Sequence, residues 1–179
     1  MNRLLRDEAL LLLEGRGAIL DVAREVTGVL RKAGVEGAII GGVAVVLHGY
    51  VRTTVDVDVF VPGDLQKVAA ALKAAGFSYS RARREFRRNG VPIHLVTADQ
   101  TRVVPGNPTE IDDVLTVSLP DLVAMKLTSG TRDLLRAIDL ADVIGLIRAR
   151  RLTPAFAAKL PRPLRPTFRK LARTVAQRR

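Results

Sequence analysis

Two aspartates separated by one valine, Asp56 and Asp58, sit inside "TTVDVDVFV", a run otherwise apolar or β-branched. In a strand, side chains at i and i+2 share a face, with Cα atoms roughly 6 to 7 Å apart. The two carboxylates therefore converge while Val55, Val57 and Val59 turn the other way. Carboxylates this close repel unless a cation sits between them. Hard oxygen donors suit Mg²⁺, which takes one or two protein carboxylates and fills its shell with water and phosphate oxygens. Upstream, Gly41-Gly42 ends the apolar run "EGAII", with thirteen residues between the glycine pair and Asp56. A helix opening there offers bare backbone N–H groups and its positive dipole end to a phosphate. Arg52 and Thr53 are placed to hold the rest of a polyphosphate. Singly these signals are weak: a D-x-D pair is more often a solvated edge, Gly-Gly a tight turn, and a lone histidine such as His48 a satisfied structural group. Their conjunction is much less common.

The stretch "GGVAVVLHGYVRTTVDVDVFV", residues 41–61, resembles the signature of the DNA polymerase beta-like nucleotidyltransferase superfamily, with "HGYVRTTVDVDV" closest in wording to small bacterial members. The resemblance implies that Gly41 and Gly42 touch the triphosphate of an NTP and that Asp56 and Asp58 bind two Mg²⁺ ions. It also implies in-line attack of an acceptor hydroxyl on the α-phosphate, with pyrophosphate leaving. The core of the resemblance covers about residues 35–100. A looser similarity runs on through "LPDLVAMKLTSGTRDLLRAIDLADVIGLI", which is similar to a segment of AbiEii-like nucleotidyltransferases from toxin–antitoxin systems. That similarity implies a nucleotide-binding role for Lys126, a base or acceptor-site role for Asp139 (less so Asp142), and a cognate toxin or antitoxin as partner.

Many superfamily members carry a third carboxylate on a later strand, and here the matching string "PIHLV" puts His94 at that position. Three readings stay open. His94 is a neutral base, since imidazole titrates near the working pH; or Asp139 supplies the missing acid; or the site binds nucleotide without turning it over. The last makes the chain a catalytically silent nucleotide- or RNA-binding module rather than an enzyme.

These residues need an α/β scaffold, and the patterning supplies one: a small mixed sheet flanked by helices, with a helical region after it. Helices are expected over residues 3–13 and 17–33, with Gly34 as a stop, and over 42–49. "TTVDVDVFV" reads as a strand and "GDLQKVAAALKAAG" as a helix capped by Asp64 and ended by Gly76. "FSYSRARREFRR" and "VPIHLVTA" flank Asn89-Gly90, a strong hairpin signal, and Pro92 argues for an edge strand or an irregular start. The paired arginines 83–84 and 87–88 would project from the hairpin tip. "NPTEIDDVL" reads as loop and cap. From Ser118 onward the pattern is helical, with Ser118 and Thr131 as caps and a break near Gly130. The expected organisation is a core over 1–115 with N-terminal helices, a helical region over 116–160 packed on it, and a basic tail over 161–179 that orders on a partner.

Composition narrows the partners. The 179 residues include no cysteine, which removes disulfide, thiolate-metal and thiol-nucleophile chemistry. The formal net charge is +11, and cations cluster in "SRARREFRR" and "PRPLRPTFRKLARTVAQRR". Clustered guanidinium groups favour phosphate by charge and by bidentate geometry, so RNA, tRNA first, is the expected acceptor, with a protein or small-molecule hydroxyl next. Asp7 and Glu8 interrupt the N-terminal apolar run, and no apolar segment approaches membrane-spanning length. The expectation is a cytoplasmic protein with no membrane partner.

Overall fold

The structure, a computed structural model, describes Leu11 and residues 16–178. The helix expected over 3–13 falls, apart from Leu11, outside the described residues. Helix α1 (Ala18–Ala33) presents Ile19, Val22, Ala23, Val26 and Leu30 at helical spacing to the core and stops at Gly34, whose φ of 59° is the left-handed conformation glycine adopts without strain. Strand β1 (Ala38–Ile40) leads directly into α2 (Gly41–Leu47), then β2 (Val57–Val61) and α3 (Leu65–Ala74). The Asp64 carboxylate caps α3, accepting from the N–H groups of Gln66 at 2.8 Å and Lys67 at 3.1 Å.

Three strands follow: β3 (Ser78–Ser80), β4 (Glu85–Arg88) and β5 (Val91–Thr97). Asn89 and Gly90, at φ 50° and 80°, make the expected tight hairpin between β4 and β5. A second hairpin, β6 (Thr109–Ile111) and β7 (Val114–Thr116), occupies the segment expected to be loop and cap. The order across the seven-stranded mixed sheet is β3-β4-β5-β2-β1-β7-β6. The expected α/β class is met.

Helix α4 (Leu119–Arg132) begins at Ser118, whose hydroxyl accepts from the Asp121 N–H. Thr131 is no cap: its hydroxyl donates to the Leu127 carbonyl inside α4. The break expected near Gly130 falls at Asp133, ahead of α5 (Ala137–Ala149); Gly130 itself lies within α4 and packs against α5, since a Cβ there would stand 2.8 Å from Leu140 Cγ. Two 3₁₀ turns (Pro154–Lys159 and Arg162–Leu164) lead to α6 (Arg165–Gln177). The tail expected to order on a partner is thus a helix of this chain, because its amphipathic spacing puts Phe168, Ala172 and Val175 into the core.

The sheet separates two apolar clusters, and strand parity assigns residues to them. Val57, Val59 and Val61 pack with α1 and α3, while Ile40, Phe60 and Val96 pack with α4, α5 and α6. Asp58, one step from each valine, therefore lies on the α4 face.

Candidate active site

Strand β1 pairs with β2 only over Ala38–Ile40, with Ile40 opposite Asp58. At that point α2 departs, so the residues before Val57 lose their ladder partner. The strand expected from Thr53 accordingly begins at Val57, Asp56 lies just ahead of it, and Val55 is exposed rather than packed. On the other side β5 runs parallel to β2, with His94 in register with Asp58. Pro92 does not make β5 an edge strand: β5 lies between β4 and β2, and the ladder with β2 starts at Ile93, beyond the missing N–H.

This register gathers a mixed donor set. His94 Nδ1 lies 3.3 Å from Asp58 Oδ1 and 3.6 Å from Asp56 Oδ2. One donor atom from each of Asp56, Asp58 and His94 lies within 4.8 Å of the others, and all three side chains are half-buried. Two carboxylate oxygens and an imidazole nitrogen at such separations fit a divalent cation. Burial, and then the charge of Asp56, push the Asp58 carboxyl above its ordinary pKa against the opposing pull of His94 and Lys126. On the far side of the ring, His94 Nε2 lies 3.5 Å from Glu85 Oε2. Glu85 also accepts from Arg87 Nε at 2.7 Å, and that hydrogen bond holds its carboxyl below the usual range.

Gly41 and Gly42 pack directly against the aspartate segment. Gly41, at φ +67°, faces the Asp58 carboxylate so closely that a Cβ would collide with Oδ2. A Cβ at Gly42 would collide with Thr54, whose buried hydroxyl donates to Asp56 Oδ1 at 3.4 Å. The glycines therefore let α2 start against the two carboxylates.

A pocket of about 570 Å³ opens from Gly41 and Asp58 towards α4. Lys126, Ser129 and Arg132 form one wall, and Gln100, Thr101 and Arg102 from the loop after β5 form another. Val96, Val103, Leu122 and Met125 give it an apolar floor.

An ion network runs from the pocket wall into the core. Lys126 Nζ donates to Asp139 Oδ1 at 2.6 Å and lies 2.9 Å from Asp142 Oδ2. Asp142, fully buried, accepts both Nε and Nη2 of Arg52, at 2.8 and 3.1 Å. Arg136 Nε completes the set, 3.0 Å from Asp139 Oδ2. Burial pushes the Asp139 carboxyl up, but the Lys126 hydrogen bond and charge, with Ser129 and Arg136, outweigh it and leave the pKa lowered.

Of the residues singled out in the sequence, Gly41, Asp58, Lys126 and Asp139 line the pocket, and Asp56 and His94 lie against Asp58. Arg52 is turned to Asp142 and Thr53 is exposed. Arg87 and Arg88 do not project freely: they pair with Glu85 and Glu25, each at 2.7 Å. His48 is structural, its Nε2–H donating to the Val117 carbonyl at 2.8 Å, and burial lowers its pKa. Sequence reasoning missed Glu85, which has no motif, and Ser129 and Arg132. The latter two recur with Lys126 at every third residue of α4, a spacing that shares one helix face.

An α/β sheet carrying a glycine pair and a D-x-D segment beside a basic pocket defines the nucleotidyltransferase fold, and comparison with solved structures agrees. The chain is similar to an antigenic nucleotidyltransferase-like protein from Paracoccidioides brasiliensis, with a TM-score of 0.54, 19% identity, and coverage of 89% of this chain and 87% of that one. It is also similar to ANT(2")-Ia, solved in complex with adenylyl-2"-tobramycin, with a TM-score of 0.55, 12% identity, and coverage of 86% and 96%. At such identities the likeness is one of fold. Residues 18–160 match the family described as nucleotidyltransferase of unknown function (DUF6036), and the chain belongs to that family of nucleotidyltransferases. No curated protein matches it. Among the described residues, no helix is long and apolar enough to cross a membrane.

Proposed function

We propose that the protein moves a nucleotidyl group from an NTP to a hydroxyl of an RNA acceptor, with a divalent cation held by Asp56 and Asp58. One observation carries the reading: the Asp58 carboxylate stands with Gly41 at one end of a ligand-sized pocket whose wall is basic. A triphosphate needs metal ligands near its reacting phosphate and cations along the rest of its length. When bound, the cation neutralises charge developing at that phosphate.

The chain's own residues divide the remaining work. Arg102 and Arg132 are exposed on the pocket rim and make no ion pair among the described residues, so their guanidinium groups are open to phosphate oxygens. Lys126 is committed to Asp139 and Asp142, and in this reading it brings positive charge to the pocket wall while those acids fix its position. Asp139, held ionised by Lys126 and Arg136, orients Lys126 rather than taking a proton from the acceptor. Val96 and Met125 offer apolar surface to a base. The RNA acceptor is supported by the +11 net charge and by the exposed cations Arg162, Arg169, Lys170, Arg173 and Arg178 along the C-terminal segment.

The test is incubation with labelled NTPs, a divalent cation and total RNA, beside an Asp56→Asn/Asp58→Asn variant. Cation-dependent label on RNA, absent with the variant, is the expected result. RNA binding that survives the substitutions, with no label transferred in any fraction, would leave a silent binding module instead.

A further inference from the structure

The donor set at Asp58 is not all oxygen, and the back of its nitrogen donor is occupied in a particular way. We propose that His94 binds the divalent cation through Nδ1 together with Asp56 and Asp58, that Glu85 is the residue that orients it, and that the site consequently selects a first-row transition ion such as Mn²⁺ over Mg²⁺. The inference rests on the reading of Asp56 and Asp58 as metal ligands.

Ligand atoms around a divalent ion with bonds near 2.1 Å stand roughly 3 to 3.5 Å apart when adjacent. The Nδ1 separations of 3.3 Å to Asp58 and 3.6 Å to Asp56 are of that size. The in-register pairing of β2 with β5 fixes the first of them in the backbone, because His94 and Asp58 are cross-strand partners on one face. The other ring nitrogen then needs an acceptor. Glu85 provides it: Oε2 lies 3.5 Å from Nε2, while Oε1 takes the Arg87 Nε–H at 2.7 Å. The Arg87 contact fixes the position of the Glu85 carboxylate. A cation held by the two aspartates takes the Nδ1 lone pair, which leaves Nε2 to carry the N–H and point it at Glu85 Oε2; a ligating histidine commonly has such a partner.

Glu85 otherwise has no task in the proposed reaction. It is 7% exposed and lies on β4, outside the pocket wall. An imidazole favours first-row transition ions, whereas Mg²⁺ is served by oxygen alone. A nitrogen at the third position therefore shifts selectivity without removing the carboxylates. It also excludes His94 from acting as a proton acceptor while the cation is bound, since its only lone pair is then engaged.

The experiment is Mn²⁺ binding to the metal-free full-length protein, followed by electron paramagnetic resonance without nucleotide, with Mg²⁺ as competitor. Wild type is expected to bind Mn²⁺ at least tenfold more tightly than Mg²⁺ and to show ¹⁴N modulation from a directly bound imidazole. His94→Ala loses the modulation, and His94→Asp loses it and shifts the preference at least tenfold towards Mg²⁺. Glu85→Gln weakens Mn²⁺ about tenfold, and an unchanged Mn²⁺ affinity there overturns the orienting role; if it does not fold, Glu85→Asp, with its shorter reach to Nε2, is read in the same way. Absent modulation at saturating Mn²⁺, or an unchanged Mn²⁺/Mg²⁺ ratio in His94→Asp, overturns the inference. Failure of the transferase reading looks different: Mn²⁺ bound through His94, lost in Asp56→Asn/Asp58→Asn, with no nucleotide transferred to any acceptor.

Discussion

Gly41 and Asp58 are in contact across the β1–β2 pair: the glycine, at φ +67°, leaves no room for a Cβ beside the Asp58 carboxylate. Both the backbone conformation and the missing side chain are required, because an alanine would be strained in the left-handed region and would also displace the carboxylate. Gly41→Ala is expected to reduce nucleotidyl transfer at least 100-fold, while destabilising the fold by only about 1 to 3 kcal/mol. Transfer rates set beside urea unfolding separate the two effects, and equal transfer by the variant would refute the argument.

Asp142 holds two cations in a dry environment. Lys126 and Arg52 both point at it, and its side chain is 1% exposed. Removing one partner of a buried ion pair leaves an uncompensated charge and costs about 3 to 5 kcal/mol. Asp142→Ala should show a loss of that size in chemical denaturation, whereas Asp21→Ala, at an exposed ion pair with Arg24, should change stability by less than about 1 kcal/mol.

Burial lowers the His48 pKa below its ordinary 6.5, so the folded protein binds fewer protons there than the unfolded chain. The sign follows: this group's full stability is present above about pH 6.5 and is lost as pH falls through the lowered folded value. Unfolding free energies from pH 7.5 down to 5 should decline in wild type, and His48→Gln should flatten that decline. A steeper decline in the variant would contradict the assignment of His48 as a neutral, buried donor.

Arg132 is exposed at the end of α4 and faces the pocket without an ion-pair partner among the described residues. Arg132→Gln should therefore raise the KM for NTP about tenfold or more, the loss of one charge-assisted contact to phosphate. Its melting temperature should stay within about 2 °C of wild type, because a surface substitution of this kind moves stability by at most about 0.5 kcal/mol. An unchanged KM would place the triphosphate elsewhere.

Phe168 tests the C-terminal helix. It is fully buried against Phe156, with ring centroids 5.3 Å apart. Phe168→Ala should cost about 3 to 5 kcal/mol in denaturation, whereas a tail that ordered only on a partner would lose almost nothing.

Local elements were legible where a single stretch carries its own cause. The Asp64 cap, the Gly34 stop and the Asn89-Gly90 turn follow from side-chain and φ preferences acting within a few residues. The β6–β7 hairpin was not, since its turn residues, Asp112 and Asp113, hold φ of 50° and 64° without glycine and so read as loop. The Arg- and Pro-rich composition of the tail likewise pointed to a segment without a core, while three apolar residues at positions 168, 172 and 175 were enough to dock it.

For the site, the residue types and their spacing along one chain segment were in the sequence: a glycine pair, two aspartates two apart, a histidine on a later strand, and a lysine on a helix. What those groups face was decided only by tertiary structure. Spacing fixes which side chains share a face of one element, because backbone geometry is periodic. It does not fix the register of β5 against β2, the acid behind His94, or the burial of Asp139 and Asp142 around Lys126. Those depend on which strands become neighbours and on how α4 and α5 close over the sheet, and residues far apart in the chain settle both by burying their apolar faces together.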